Sequence, residues 1–69
     1  MLRADSARIE WDPSKGHWQV QIHVGAEVIK RSLPKLDQST GDDALRAEAV
    51  GTAKDEGYGL DPAQVQIAH

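Results

Sequence analysis

The sequence predicts a small α+β domain with two layers, in which a three-stranded antiparallel meander packs on one helix and a short fourth strand follows, in the order β-β-β-α-β. Residues 7–33 alternate between apolar and polar side chains, with turn residues at two places. Residues 41–57 hold the only good helix candidate, and residues 63–69 alternate again. With 69 residues and no cysteine, the chain is expected to be one domain, 1–69, without disulfides and with residues 1–6 flexible.

The first strand is predicted at ARIEW (7–11), where apolar and charged side chains alternate. The DPSKG segment after it has the residue types of a turn, since aspartate precedes proline and a glycine closes the segment. We expect Trp11 to lie opposite Gly16 across this turn. That register places Glu10 beside His17 on the next strand.

The second and third strands are predicted at HWQVQIHV (17–24) and EVIKRSL (27–33), joined by a two-residue turn at Gly25-Ala26. A slip of one residue would move the glutamines of the second strand into the core, so the alternation specifies the register. Arg31 falls on the apolar side, where its stem is expected to cover the core and its head to reach water. The predicted cross-strand pairs are Val24–Glu27, Ile22–Ile29, Val20–Arg31 and Trp18–Leu33.

The helix predicted within residues 41–57 begins with polar and acidic side chains and ends at a glycine. Thr40, Asp42 and Asp43 offer oxygens for the helix N-terminus, and Gly57 is the expected stop. The stripe that faces the sheet is narrow and made of small residues: Leu45, Ala49, Val50 and Ala53. We expect Trp18, Ile22 and Ile29 to be buried under Leu45, Ala49 and Ala53.

The two halves of the chain differ in the sign of their charge. Residues 1–35 carry six basic and four acidic groups, a balance of +2, and residues 36–69 carry two basic and seven acidic groups, a balance of −5. Such asymmetry suggests a surface that attracts a partner of opposite charge. The acidic helix face is predicted to consist of Asp42, Asp43, Glu48, Asp55 and Glu56.

No constellation in the sequence predicts catalysis. Glu10 beside His17 offers an acid–base couple, but an exposed cross-strand charge pair explains the two residues equally well. His17 and His23 lie ~20 Å apart along one strand, too far to share a metal ion. We therefore expect a protein that is not an enzyme, with no catalytic residue, no metal and no cofactor.

The exposed side of the predicted sheet is rich in amide and basic side chains: Arg8, His17, Gln19, Gln21, His23, Lys30 and Ser32. The layout GHWQVQIHVGAEVIKRSLP…ALRAEAVGTA, within residues 7–54, resembles the arm-binding N-terminal domains of phage-type tyrosine integrases. Those domains bind DNA through the sheet, so the resemblance implies a DNA-binding sheet face. The chain departs from the family in having few basic residues on the sheet.

Because the chain is acidic and a typical DNA binder makes ~6–10 phosphate contacts, we expect a protein partner, through either the acidic helix face or the polar sheet face. Small phage-encoded inhibitors of host defence, anti-CRISPR proteins among them, are similar in size and charge. DNA binding through the sheet is the alternative. The edge strand EVIKRSL offers strand addition, so the chain is expected to be a monomer or an edge-strand homodimer. From the sequence we expect no signal peptide, no membrane span and a cytoplasmic location.

Overall fold

Six strands and one helix make up the part of the chain described by the computed structural model, residues 2–68. The elements in chain order are β1 (Leu2–Arg3), β2 (Ser6–Asp12), β3 (His17–Val24), β4 (Glu27–Leu33), α1 (Asp42–Asp55), β5 (Tyr58–Gly59), a 3₁₀ turn (Pro62–Gln64) and β6 (Val65–Ala68). The predicted α+β class is confirmed. The predicted order β-β-β-α-β lacks two short strands, β1 and β5.

The main sheet has four strands in the order β4-β3-β2-β6. Strands β2, β3 and β4 form the predicted antiparallel meander, and β6 pairs with β2 in parallel. The last strand thus lies at the edge of the meander, as predicted, on the side opposite β4. A parallel neighbour cannot be reached by a tight hairpin, so the chain crosses over through α1, which packs on one face of the sheet.

The first residues of the chain pair with the segment after the helix. Strand β1 runs parallel to β5, and the backbone N–H of Ala4 donates to the carbonyl of Gly59 at 2.8 Å. The Asp5 carboxylate accepts a 2.7 Å hydrogen bond from the backbone N–H of Gly25. These contacts favour an ordered segment, whereas the sequence predicts flexibility for residues 1–6, of which Met1 lies outside the described residues.

The hairpin of β3 and β4 has the predicted register, with Val24 opposite Glu27 and Ile22 opposite Ile29. Gly25 has a φ of 59° while Ala26 keeps a negative φ, the combination that a type II′ turn requires. The two-residue turn therefore specifies all seven residue pairs between these strands.

The predicted register between β2 and β3 is wrong by two residues. Trp11 lies opposite Trp18, not opposite Gly16, and Glu10 lies opposite Gln19. The turn has four residues, as many as the predicted register encloses, but it lies one position later in the chain, at residues 13–16, where the N–H of Gly16, at a φ of 70°, donates to the carbonyl of Asp12. In this register the two indole rings meet edge to face, with centroids 5.5 Å apart. Because the shift is even, every side chain keeps its predicted face.

The core lies between α1 and the apolar face of the sheet. Trp18, Ile22, Leu45, Ala49 and Ala53 are buried, as predicted, whereas Ile29 is only partly buried at the outer strand. The remaining buried apolar residues are Ala4, Ala7, Ile9, Val20, Leu33, Leu60 and Val65.

The two ends of α1 differ in how well the sequence predicts them. Gly41 is the N-cap and no side chain caps the helix, because the Thr40 hydroxyl instead donates to the Asp37 carboxylate at 3.3 Å. The prediction that side-chain oxygens cap the start of this helix is therefore wrong. At the other end Gly57 has a φ of 92° and donates its N–H to Lys54, as expected of a helix stop. None of the helical residues between 2 and 68 forms a segment long and apolar enough to cross a membrane.

Candidate functional site on the polar sheet face

The sheet face that points away from α1 collects every residue predicted for it. Strand pairing places alternate side chains of all four strands on this one surface, which we call the polar sheet face. Its members predicted from the sequence are Arg8, His17, Gln19, Gln21, His23, Lys30 and Ser32, and its further members are Ser6, Glu10, Asp12, Val28, Gln66 and Ala68.

Four long polar side chains form a row straight across this face. Gln66 pairs with Arg8, Arg8 with Gln21, and Gln21 with Lys30, so each strand contributes one member. Neighbouring strands are ~4.8 Å apart, which makes the row ~14 Å wide. A second row, from Ala68 through Glu10 and Gln19 to Ser32, runs beside it. The sheet thus presents a band of hydrogen-bonding groups of fixed spacing.

Glu10 links the two rows and balances the charge of Arg8. One of its carboxylate oxygens lies 3.7 Å from the Arg8 Nε, and the other accepts a hydrogen bond from the Gln21 amide at 3.3 Å. The face as a whole carries two cations, Arg8 and Lys30, and two carboxylates, Glu10 and Asp12. With neutral histidines its formal charge is zero.

The hypothetical acid–base couple of Glu10 and His17 is not formed by direct pairing, because His17 lies opposite Asp12. The His17 Nδ1 lies 3.1 Å from the Trp18 carbonyl oxygen. The Asp12 carboxylate accepts hydrogen bonds from the side chain and backbone of Ser14, which lower its pKa. Across residues 2–68, no three histidine or acidic side chains come close enough together to hold a metal ion.

The acidic residues of α1 do not share one surface. At about 100° per residue, Glu48 and Asp55 lie on one exposed flank, and Asp43 lies about 140° around the helix from Glu48. Asp42 borders the outer side of β6. Glu56, just past the helix, bonds the Arg31 guanidinium from β4. The five residues of the predicted acidic helix face therefore lie in four separate places.

An open groove of about 570 Å³ runs along the free side of β6. Arg8 and Gln66 border it from the polar sheet face, and Asp42 and Arg46 border it from the helix. Sequence reasoning did not include Gln66 and Arg46 in a site. The alternation of Val65, Gln66 and Ile67 signals the exposure of Gln66, but its place beside Arg8 depends on the parallel pairing of β6.

No protein-family model, no curated protein and no solved structure matches this chain. The resemblance to the arm-binding domains of integrases stays an expectation from the sequence.

Proposed function

We propose that this chain is a binding module without catalytic activity, and that its polar sheet face contacts another protein. The observation that supports this best is the row of Gln66, Arg8, Gln21 and Lys30 across four strands. Amide, guanidinium and ammonium groups at strand spacing suit a partner that offers carbonyl and carboxylate oxygens. An inhibitor of a host protein, of the kind that phages encode, is a role that a module of this size can have.

The balanced charge of the face favours a protein partner over DNA. Affinity for duplex DNA depends on many phosphate contacts, about 6–10 in a typical binder. Here the face has two cations, and Glu10 lies within ion-pair distance of one of them, Arg8. A protein surface, by contrast, is recognised through mixed hydrogen bonds that need no net charge.

The polar sheet face is also a more coherent surface than the acidic helix residues. Its rows lie on hydrogen-bonded strands, so their spacing is held by the backbone. The helix acids are dispersed, and Glu56 is already engaged by Arg31. We therefore assign the protein contact to the sheet.

A comparative capture experiment from host lysate tests this assignment. The sheet variant combines Gln21→Ala, Lys30→Ala and Gln66→Ala, and the helix control combines Glu48→Gln with Asp55→Asn. Three lost hydrogen bonds at roughly 1 kcal/mol each predict a loss of affinity of well over tenfold for the sheet variant, and unchanged capture for the control. Loss of capture in the control alone would assign the contact to the helix.

A titration with mixed-sequence duplex tests the DNA alternative. At ~50 mM salt, where a phosphate-driven interaction is strong, we expect no binding in the micromolar range. If the duplex binds and Arg8→Ala and Lys30→Ala each reduce the salt slope by about 1, the sheet reads nucleic acid and the protein-binding proposal is wrong.

A further inference from the structure

Strand β4 forms a free edge of the main sheet along its whole length. In a hairpin with a two-residue turn, the residues that flank the turn bond each other, and every second residue after them does the same. Glu27, Ile29, Arg31 and Leu33 therefore direct their backbone groups to β3. Val28, Lys30 and Ser32 direct theirs outward, where a further strand can bond them.

The side chains along this edge are self-complementary about Ile29. Glu27 and Arg31 have opposite charges and lie two residues on either side of it, on the helix side of the sheet. Val28 is one of two large apolar side chains that residues 2–68 expose, with 45% of its surface accessible, and Ile29 is only partly buried. An antiparallel copy of the same segment would cover both apolar residues.

We propose that β4 is a strand-addition site for a second copy of this chain, paired antiparallel about a two-fold axis at Ile29. The pairs across the axis are Ile29 with Ile29, Val28 with Lys30 and Glu27 with Arg31. The outward groups of Val28 and Lys30 bond each other in this register. If the two-fold axis passed through Lys30 instead, the two Lys30 ammonium groups would lie directly opposite each other, and like charges in that position are destabilising.

Arg31 makes contacts in the single chain that the dimer has to replace. Its guanidinium donates to the Lys30 carbonyl at 2.8 Å, the same outward carbonyl that the second strand needs, and it also bonds the Glu56 carboxylate. Dimerisation moves Arg31 from these partners to Glu27 of the other copy. The association is therefore weak, and Glu56→Gln, which loosens the competing contact, should tighten it.

The dimer joins the two main sheets into one of eight strands and places the two polar sheet faces side by side. This consequence adds to the proposed function, but the inference rests only on the β4 edge and holds whatever the polar sheet face binds.

Sedimentation equilibrium from micromolar to millimolar concentration tests the proposal. The unaltered chain should associate reversibly to a dimer, and Glu27→Arg should raise its dissociation constant about tenfold or more, because both Glu27–Arg31 pairs become repulsive. Asp43→Arg makes the same charge change on an exposed flank of α1 and should leave the dissociation constant unchanged.

Mixing two variants gives the sharper result. Glu27→Arg and Arg31→Glu should each dimerise poorly alone, whereas their mixture should form a heterodimer, because both cross-axis pairs are then of opposite charge. Circular dichroism checks that each variant is folded; if Arg31→Glu is not, the tightening expected of Glu56→Gln takes its place. A chain that stays monomeric at millimolar concentration, or a mixture that does not associate although both variants are folded, would overturn the proposal.

Discussion

Replacing Trp18 by alanine should abolish folding at room temperature. Trp18 is 1% exposed, packs edge to face on Trp11 at 5.5 Å, and donates its indole N–H to the Asp37 carbonyl at 2.6 Å. Deleting a buried tryptophan side chain costs about 3–5 kcal/mol from lost burial and the cavity left behind. A domain of this size without disulfides has a total stability of about 3–5 kcal/mol, so Trp18→Ala removes all or most of it.

Urea unfolding followed by far-ultraviolet circular dichroism measures this effect, with Trp18→Phe as the matched control. Phenylalanine keeps an aromatic ring in the core but loses the hydrogen bond to the segment after β4, which we expect to cost about 1–2 kcal/mol. The control should therefore unfold cooperatively at a lower midpoint than the parent, while the alanine variant shows no folded baseline. A Trp18→Ala variant that melts cooperatively near the parent would refute the central place of this side chain in the core.

The remaining predictions concern substitutions at two glycines and the loss of stability at acidic pH. A Cβ added at Gly51 or at Gly25 would meet no neighbouring side chain within 4 Å, so backbone conformation decides the effect of an alanine substitution. Gly51→Ala should stabilise the helix by about 1 kcal/mol. Gly25→Ala, at a φ of 59°, should destabilise the hairpin by about 1–2 kcal/mol, and thermal melts measure both changes. Serine hydrogen bonds lower the pKa of Asp12 and Asp37 below 3.8 in the folded chain, so their stabilisation is present above that pH and is lost as the pH falls through the lowered values. Acid titration of a double variant, Asp12→Asn with Asp37→Asn, should show a weaker loss of stability below pH 3.8 than the parent, and an equal loss would contradict this role of the two carboxylates.

Local patterns in the sequence determine the parts of the fold that depend on near neighbours. The alternation in residues 17–24 and the Gly25-Ala26 turn predict the β3–β4 register pair by pair, because a two-residue turn leaves the strands no freedom to slip. The same alternation predicts the members of the polar sheet face. The helix stripe of Leu45, Ala49 and Ala53 follows from spacing alone.

Longer connections were not predictable in the same way. The four residues between β2 and β3 permit more than one register, and the edge-to-face packing of Trp11 on Trp18 accompanies the one found. The short strands β1 and β5 are two residues each and exist only as each other's partner. No local pattern marks a strand whose partner is more than fifty positions away in the chain.

The polar sheet face likewise has features that the sequence predicts and features that only the tertiary structure decides. Which side chains leave the core is a property of the sequence, since the period of a strand assigns each residue to a face. Which of them become neighbours was decided by the tertiary structure: the parallel pairing of β6 with β2 brings Gln66 to Arg8 and completes the row. The contact of Arg31 with Glu56 likewise joins a strand edge to the end of the helix. Charges and polar groups distant in the chain meet only where the packing of the core places their backbones together, and that packing is a property of the whole fold.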